Sequence, residues 1–225
     1  MKNEETKQYA GLLTYITAAS VIVTFILFLI FMYSINSNVE FSWEKPTQHF
    51  FQQWNTGISH VFFTFWTELG SYSGVGVITV CLMAWLWWKY RDYAGLLIAP
   101  LLVICTDRLN LFIKDLVGRE RPMVNPSIDA IGFSFPSGHA MLSIVTYGFA
   151  AYFLAKYAQT KKKAFIVWVI VFVLIVSIGI SRVVLSAHYP SDVLAGYCLG
   201  FVLLVIAIKL YHLLLTLWQR LKKKQ

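Results

Sequence analysis

Apolar residues in this chain fall into long runs, interrupted by short polar breaks rather than alternating with polar ones. Six runs stand out: Gly11–Tyr33, Tyr72–Trp88, Tyr93–Ile113, His139–Tyr157, Ala164–Ile180 and Val193–Leu217. A helix needs roughly 20 apolar residues to cross a hydrocarbon layer, with about 17 as the lower bound. The pattern predicts an all-α integral membrane bundle of six transmembrane helices, with residues 1–225 forming a single membrane domain. Residues 1–10 read as a short polar tail, and the first run is long enough to remain as an anchor rather than be cleaved.

The stretch Ser34–Gly70 is too polar to span. Its apolar positions Phe51, Trp54, Ile58, Val61, Phe62, Phe65 and Leu69 nevertheless recur at helical spacing, with Gln52, Gln53, Asn55, Ser59 and His60 taking much of the other side. That predicts one or two amphipathic helices lying at the membrane surface, with His49 and His60 as interfacial polar residues.

Composition supports the membrane assignment. Of the 225 residues, 58% are hydrophobic and 13% charged, against about 25% charged in an ordinary soluble domain. The net charge of +8 needs no nucleic acid, because the basic residues cluster between spans and at the chain ends, where they set orientation. Nor do the aromatics interleave with cations on a wet surface; Trp85, Trp87 and Trp88 beside Lys89 mark a water boundary instead. Cys81, Cys105 and Cys198 lie within apolar runs without CxxC spacing, which predicts buried free thiols and no zinc or redox motif.

The break after the third span and the break after the fifth are an even number of crossings apart, so they share a membrane face. Lys2, Lys7, Lys89, Arg91, Lys156, Lys161–Lys163, Arg220 and Lys222–Lys224 lie on the N-terminal side, whereas Lys45, Lys114, Arg119, Arg121 and Arg182 lie opposite. The positive-inside bias places both termini in the cytoplasm of a multi-pass plasma-membrane protein. Both breaks, and the surface helices, then face outward.

Those two breaks carry the chemistry. The first runs from Lys114 through Arg121-Pro122 to Pro136-Ser137-Gly138-His139; the second runs from Ser181-Arg182 to His188-Tyr-Pro190-Ser-Asp192. A small-residue turn at a helix start offers backbone donors and a favourable dipole to an anion. Pro190 suits the first position of a helix, which would set Asp192 in its first turn. A carboxylate in reach of one imidazole nitrogen fixes the tautomer and leaves the other nitrogen free. A His-x3-Asp pair could equally ligate a metal, but Lys114, Arg121 and Arg182 converging on the same pocket would repel one. Phosphate fits that charge better, because Arg offers a planar fork and Lys a point charge. Asp107, Arg108 and Asn110 lie near the end of the third run, and Asp107, Asn110 and Lys114 share a helical face, which reads as a structural polar network in preference to direct substrate contact.

The pattern Lys114-x6-Arg121-Pro122, Pro136-Ser137-Gly138-His139 and Ser181-Arg182-x5-His188-x3-Asp192 resembles that of the type 2 phosphatidic acid phosphatase superfamily, which includes bacterial membrane lipid phosphatases. The resemblance implies that His188 is a nucleophile forming a phosphohistidine, with Asp192 holding its ring and His139 acting as general acid and then base. It implies that Lys114, Arg121, Ser137, Gly138 and Arg182 hold the phosphate oxygens, with no metal and no cofactor. Arg119 falls outside the matched positions and reads as a surface cation. The substrate implied is a membrane lipid phosphate or pyrophosphate, such as phosphatidylglycerol phosphate, undecaprenyl pyrophosphate or phosphatidic acid. A lipid phosphotransferase and a non-catalytic lipid-phosphate binder or transporter are the alternatives; oligomeric state is not addressed by the sequence.

Overall fold

The structure, a computed structural model, describes residues 2–123 and 125–222, with side chains from Gly11 to Leu221. Among the described residues the architecture is helical, with one isolated backbone pairing between Asn125 and Ala130. Eight helices follow in order: α1 (Lys2–Asn36), α2 (Glu44–Gln52), α3 (Gly57–Thr67), α4 (Tyr72–Trp85), α5 (Tyr93–Val117), α6 (Gly138–Lys156), α7 (Lys161–Val184) and α8 (Pro190–Lys222).

Helix α6 forms the axis of the bundle, packed by α8, α7, α5 and α4. Its sequence explains the position: it is apolar on every side, as a helix surrounded by others must be, and small residues let its neighbours approach closely. At Gly148 an added Cβ would lie 2.5 Å from the Leu204 side chain, and at Gly196 of α8 one would lie 2.7 Å from the Ser137 carbonyl. Leu142, Val145, Phe149 and Phe153 of α6 form the main core with Val75, Leu86, Ile98, Leu204 and Tyr211. A second cluster joins Phe28 of α1 to Phe135, Met141 and Leu199 nearer the other end.

Five helices are long and apolar enough to cross a membrane: Gly11–Asn36, Tyr93–Val117, Gly138–Lys156, Lys161–Val184 and Pro190–Leu221. The expected second span reaches that standard only together with α3. Gly57–Gly70 and Tyr72–Tyr90 pass as a pair bent by 48°. The predicted surface stretch therefore resolves into two helices of different character. α2 carries the charged and amide residues, while α3 turns Ile58, Val61, Phe62 and Phe65 outward and docks Phe63, Trp66 and Thr67 inward. The Trp66 indole donates to Ser177 of α7 at 2.9 Å, and Thr67 is fully buried. His49 and His60 are exposed, as expected of interfacial residues.

Two expectations are corrected. Cys81 and Cys105 carry free thiols but are exposed on the bundle's outer surface, and Cys198 is half-buried. An apolar run tells that a residue avoids water, not whether it faces protein or lipid. The predicted spans also end too early. Helix α5 continues through Lys114 to Val117, where Gly118 adopts a left-handed φ of 65° and its N–H closes on the Lys114 carbonyl at 2.9 Å. Likewise α7 runs to Val184, so Arg182 belongs to a helix rather than to a connector. Run length marks where hydrophobicity stops, whereas the helix stops where a capping geometry lets it.

Candidate active site

The end of α5, the start of α6, the loop between them and the link from α7 to α8 meet at one end of the bundle, and each delivers part of a small cavity of about 90 Å³. Lys114 comes from the last turn of α5, Gly138 and His139 from the first turn of α6, Arg121 from the loop between them, and His188 from the short link between α7 and α8. The two imidazoles, 49 residues apart in sequence, therefore line the same space.

Arg121 reaches there from an irregular loop, and its orientation is fixed by carbonyls. Its Nε donates to Gly132 at 2.9 Å, Nη2 to Ile131 at 3.0 Å, and Nη1 to Ala187 at 2.8 Å. The same Nη1 lies 3.1 Å from His188 Nε2. A guanidinium can only donate, so Nε2 is the accepting nitrogen and Nδ1 carries the proton. On the Nδ1 side, Ser134 Oγ lies at 3.2 Å and Asp192 Oδ2 at 3.5 Å, while Ser134 donates to that carboxylate oxygen at 2.5 Å. The His188 lone pair thus points to the cations, and its proton to a carboxylate–hydroxyl pair. Burial first, then the charges of Arg121, Arg182 and Lys114, hold the His188 imidazolium pKa well below its ordinary 6.5. That shift favours the neutral ring, the form in which an imidazole nitrogen keeps its lone pair.

Asp192 is fully buried, and three donors converge on its two oxygens. Oδ2 takes the Ser134 hydroxyl and the Tyr189 N–H at 3.0 Å. Oδ1 takes Arg119 Nη1 at 2.5 Å, and His188 Nδ1 lies 3.5 Å from Oδ2. Pro190 opens α8 as the sequence suggested, which places Asp192 in its first turn.

Arg119 corrects the sequence analysis. It is no surface cation: its side chain is 16% exposed, and it bridges Asp192 to Glu44 while stacking 3.9 Å over the Tyr189 ring. Its placement in a loop of mixed charge, next to Glu120, offered no sign of that. Ser134 was also missed, having no periodicity to mark it. The only available cue was that it sits two residues before Pro136, within the stretch already singled out.

The remaining expected residues take distinct positions. Ser137 is fully buried as the N-cap of α6, accepting from Ala140 at 3.5 Å, while its own N–H donates to the Asp192 carbonyl at 3.0 Å. It does not line the cavity, whereas Gly138 does. His139 is 6% exposed, and its Nε2 is a buried atom with no partner within the protein. Arg182 is fully buried behind the cavity wall, with Nη1 on Thr67 at 2.9 Å and on the Ile128 carbonyl at 2.8 Å. Its Nε is left without a partner. Asn110 behaves as the structural residue expected, its amide donating to the Pro136 carbonyl at 3.1 Å and steadying the turn that leads to His139.

A buried histidine backed by a carboxylate and sharing its cavity with a second histidine, a lysine and an arginine suits transfer of a phosphoryl group. Such transfer depends chiefly on positioning and charge stabilisation. Comparison with known proteins agrees. Residues 92–215 match the family described as the PAP2 superfamily. The chain is 35% identical over 189 residues to phosphatidylglycerophosphatase B of Bacillus subtilis strain 168, covering 80% of this chain and 88% of that protein. It is 29% identical over 126 residues to the lipid A 4'-phosphatase of Bacteroides thetaiotaomicron, about half of each chain. The crystal structure of the first transmembrane PAP2 type phosphatidylglycerolphosphate phosphatase from Bacillus subtilis superposes with a TM-score of 0.77 at 30% identity, over 84% of this chain and 94% of that one. The Aquifex aeolicus LpxE structure shares the fold, with a TM-score of 0.56 at 19% identity over 76% of this chain and 97% of that one. With its motifs in place, its site assembled and its fold shared, the chain belongs to the PAP2 superfamily, among the membrane lipid phosphatases.

Proposed function

We propose that this protein hydrolyses the phosphate of a membrane lipid at the extracytoplasmic face, through a phosphohistidine at His188 and without a metal. The observation that carries this is the shared cavity: His188 presents Nε2 beside Arg121, and His139 lines the same space with Lys114. In the first step Nε2 attacks phosphorus and the bond from phosphorus to the lipid oxygen breaks. His139 gives its proton to the departing oxygen. In the second step water attacks the phosphohistidine, His139 takes the water's proton, and the N–P bond breaks to release inorganic phosphate.

Lys114, Arg121 and the N–H groups at the Gly138 turn hold the phosphate oxygens, with Ser137 and Arg182 behind them. One preorganised donor of this kind is worth about 3 kcal/mol in a transition state, and their effects do not add. The fixed positive charge supplies the electrostatic stabilisation that a divalent ion would otherwise give. The outward orientation follows from the basic residues at the opposite ends of the helices.

Similarity to a protein called phosphatidylglycerophosphatase B favours phosphatidylglycerol phosphate as the first substrate to try. The test is phosphate release by the purified protein in detergent. Phosphatidylglycerol phosphate, undecaprenyl pyrophosphate and phosphatidic acid are each assayed with and without a chelator. Release that survives chelation and favours phosphatidylglycerol phosphate supports the proposal. No release from any of the three, or release abolished by the chelator, contradicts it.

A further inference from the structure

Helix α2 lies outside the region matched to the family, yet it grips the His188 link on both sides. At its far end the Gln52 amide donates to Ser186 Oγ at 2.9 Å, two residues before His188. At its near end Glu44 meets Ser191, three residues after His188. One Glu44 oxygen accepts from the Ser191 hydroxyl in a short bond and from its N–H at 3.4 Å. The other accepts from Arg119 Nη2 at 2.7 Å. Glu44 is 7% exposed, unusual for a carboxylate at the head of a surface helix. Between these ends Phe51 packs against the cluster of Ala140, Val183 and Val193, directly around the link.

We propose that Glu44 is a positioning residue for the phosphoryl transfer, acting through Arg119 and Asp192 on the His188 ring. The inference rests on the function proposed above. Arg119 has two carboxylates to satisfy: Nη1 serves Asp192 at 2.5 Å and Ser191 at 2.8 Å, while Nη2 serves Glu44. Glu44 therefore fixes how the guanidinium lies across Asp192, and Asp192 together with Ser134 fixes which nitrogen of His188 carries the proton. It also balances charge. Glu44 and Asp192 set two carboxylates against the single charge of Arg119. Without Glu44 the Arg119 charge falls undivided on Asp192, and the carboxylate becomes a poorer acceptor for the Ser134 hydroxyl, whose oxygen takes the His188 Nδ1 proton. Such a loss weakens the nucleophile without touching a group that binds substrate, so it appears in kcat rather than in KM.

The test compares phosphate release from phosphatidylglycerol phosphate in detergent by wild type, Glu44→Gln, Arg119→Gln, Arg119→Lys and the pair Glu44→Gln/Arg119→Gln. Lys45→Gln serves as control, Lys45 being exposed and paired with Glu40 at 2.7 Å. Partners behind a reacting group typically cost about tenfold or more in activity when removed. A fall of that size in kcat is expected for Glu44→Gln, with KM within about twofold. The double variant should be no worse than Arg119→Gln alone, because both act along one chain of contacts. Arg119→Lys, which keeps a cation, should recover part of the loss. Wild-type kcat in Glu44→Gln, a loss confined to KM, or independent losses in the double variant would overturn the inference. Should Glu44→Gln not fold, Ser191→Ala and Arg119→Lys read the same chain of contacts by the same criteria. An inactive wild type would instead refute the proposed function and leave this geometry with no reaction to position.

Discussion

The side chains to which we assign the chemistry are the most legible in the sequence, and those that hold them are the least. His139, His188, Asp192, Lys114 and Arg121 stand out because ionisable groups are expensive in a greasy chain. Ser134, Arg119 and Glu44 do not, because a serine or an ion pair in a polar loop is ordinary until coordinates show it buried. Replacing His188 by Ala should lower phosphate release by about 1,000-fold or more, since nothing else in the cavity can replace a lost nucleophile. Replacing Ser134 by Ala should cost about tenfold in kcat, because the hydroxyl bonded to Asp192 and beside Nδ1 disappears while Asp192 still faces the ring. Steady-state kinetics on both variants checks the ranking. The neutral state of buried His188 also has a consequence for stability. In the unfolded chain the imidazole protonates near its ordinary 6.5, whereas in the folded protein it does so only well below that. As pH falls below about 6.5 the unfolded state therefore binds the proton first, and stability declines until the folded pKa is passed; above 6.5 the group has no effect. Thermal unfolding in detergent should show a falling Tm through that window, and a shallower fall in His188→Asn.

At the level of elements, hydrophobic runs located the helices, but capping decided their ends. Gly118 and the N-cap Ser137 set where α5 stops and α6 starts, and between them they bring Lys114 and His139 to one cavity. The break between α3 and α4 does similar work. Gly70 passes so close to α6 and α7 that a Cβ there would lie 2.6 Å from the Ile178 side chain, 3.0 Å from the His139 ring and 3.2 Å from Ser143 Oγ. A run-length argument could not see this, because it reports composition along one chain segment rather than approach between two. Gly70→Ala should push against His139 and cost about 1–3 kcal/mol of stability, the usual range for overpacking. A lowered Tm accompanied by a larger loss of turnover than Gly76→Ala, where the added Cβ meets nothing within 4 Å, is the expected result.

For the whole molecule, the parity of the crossings predicts two distant loops at one end, and their side chains do meet there: Arg121 of the first touches His188 of the second. Which side of the membrane that end faces rests on the distribution of basic residues alone. Single cysteines introduced at Glu120 and at Lys162, in a background without Cys81, Cys105 and Cys198, should respond oppositely to a membrane-impermeant maleimide. Glu120→Cys should label in intact cells, and Lys162→Cys only after permeabilisation. The reverse pattern would put the cavity in the cytoplasm. The proposed reaction requires a phosphoryl group to rest on one particular nitrogen, His188 Nε2. Rapid quenching of the protein with lipid carrying a radiolabelled phosphate, followed by peptide mapping, tests this most directly. An acid-labile label on the peptide containing His188, absent from His188→Ala, is the expected result. Turnover with no trapped label, or label on any other residue, would contradict it.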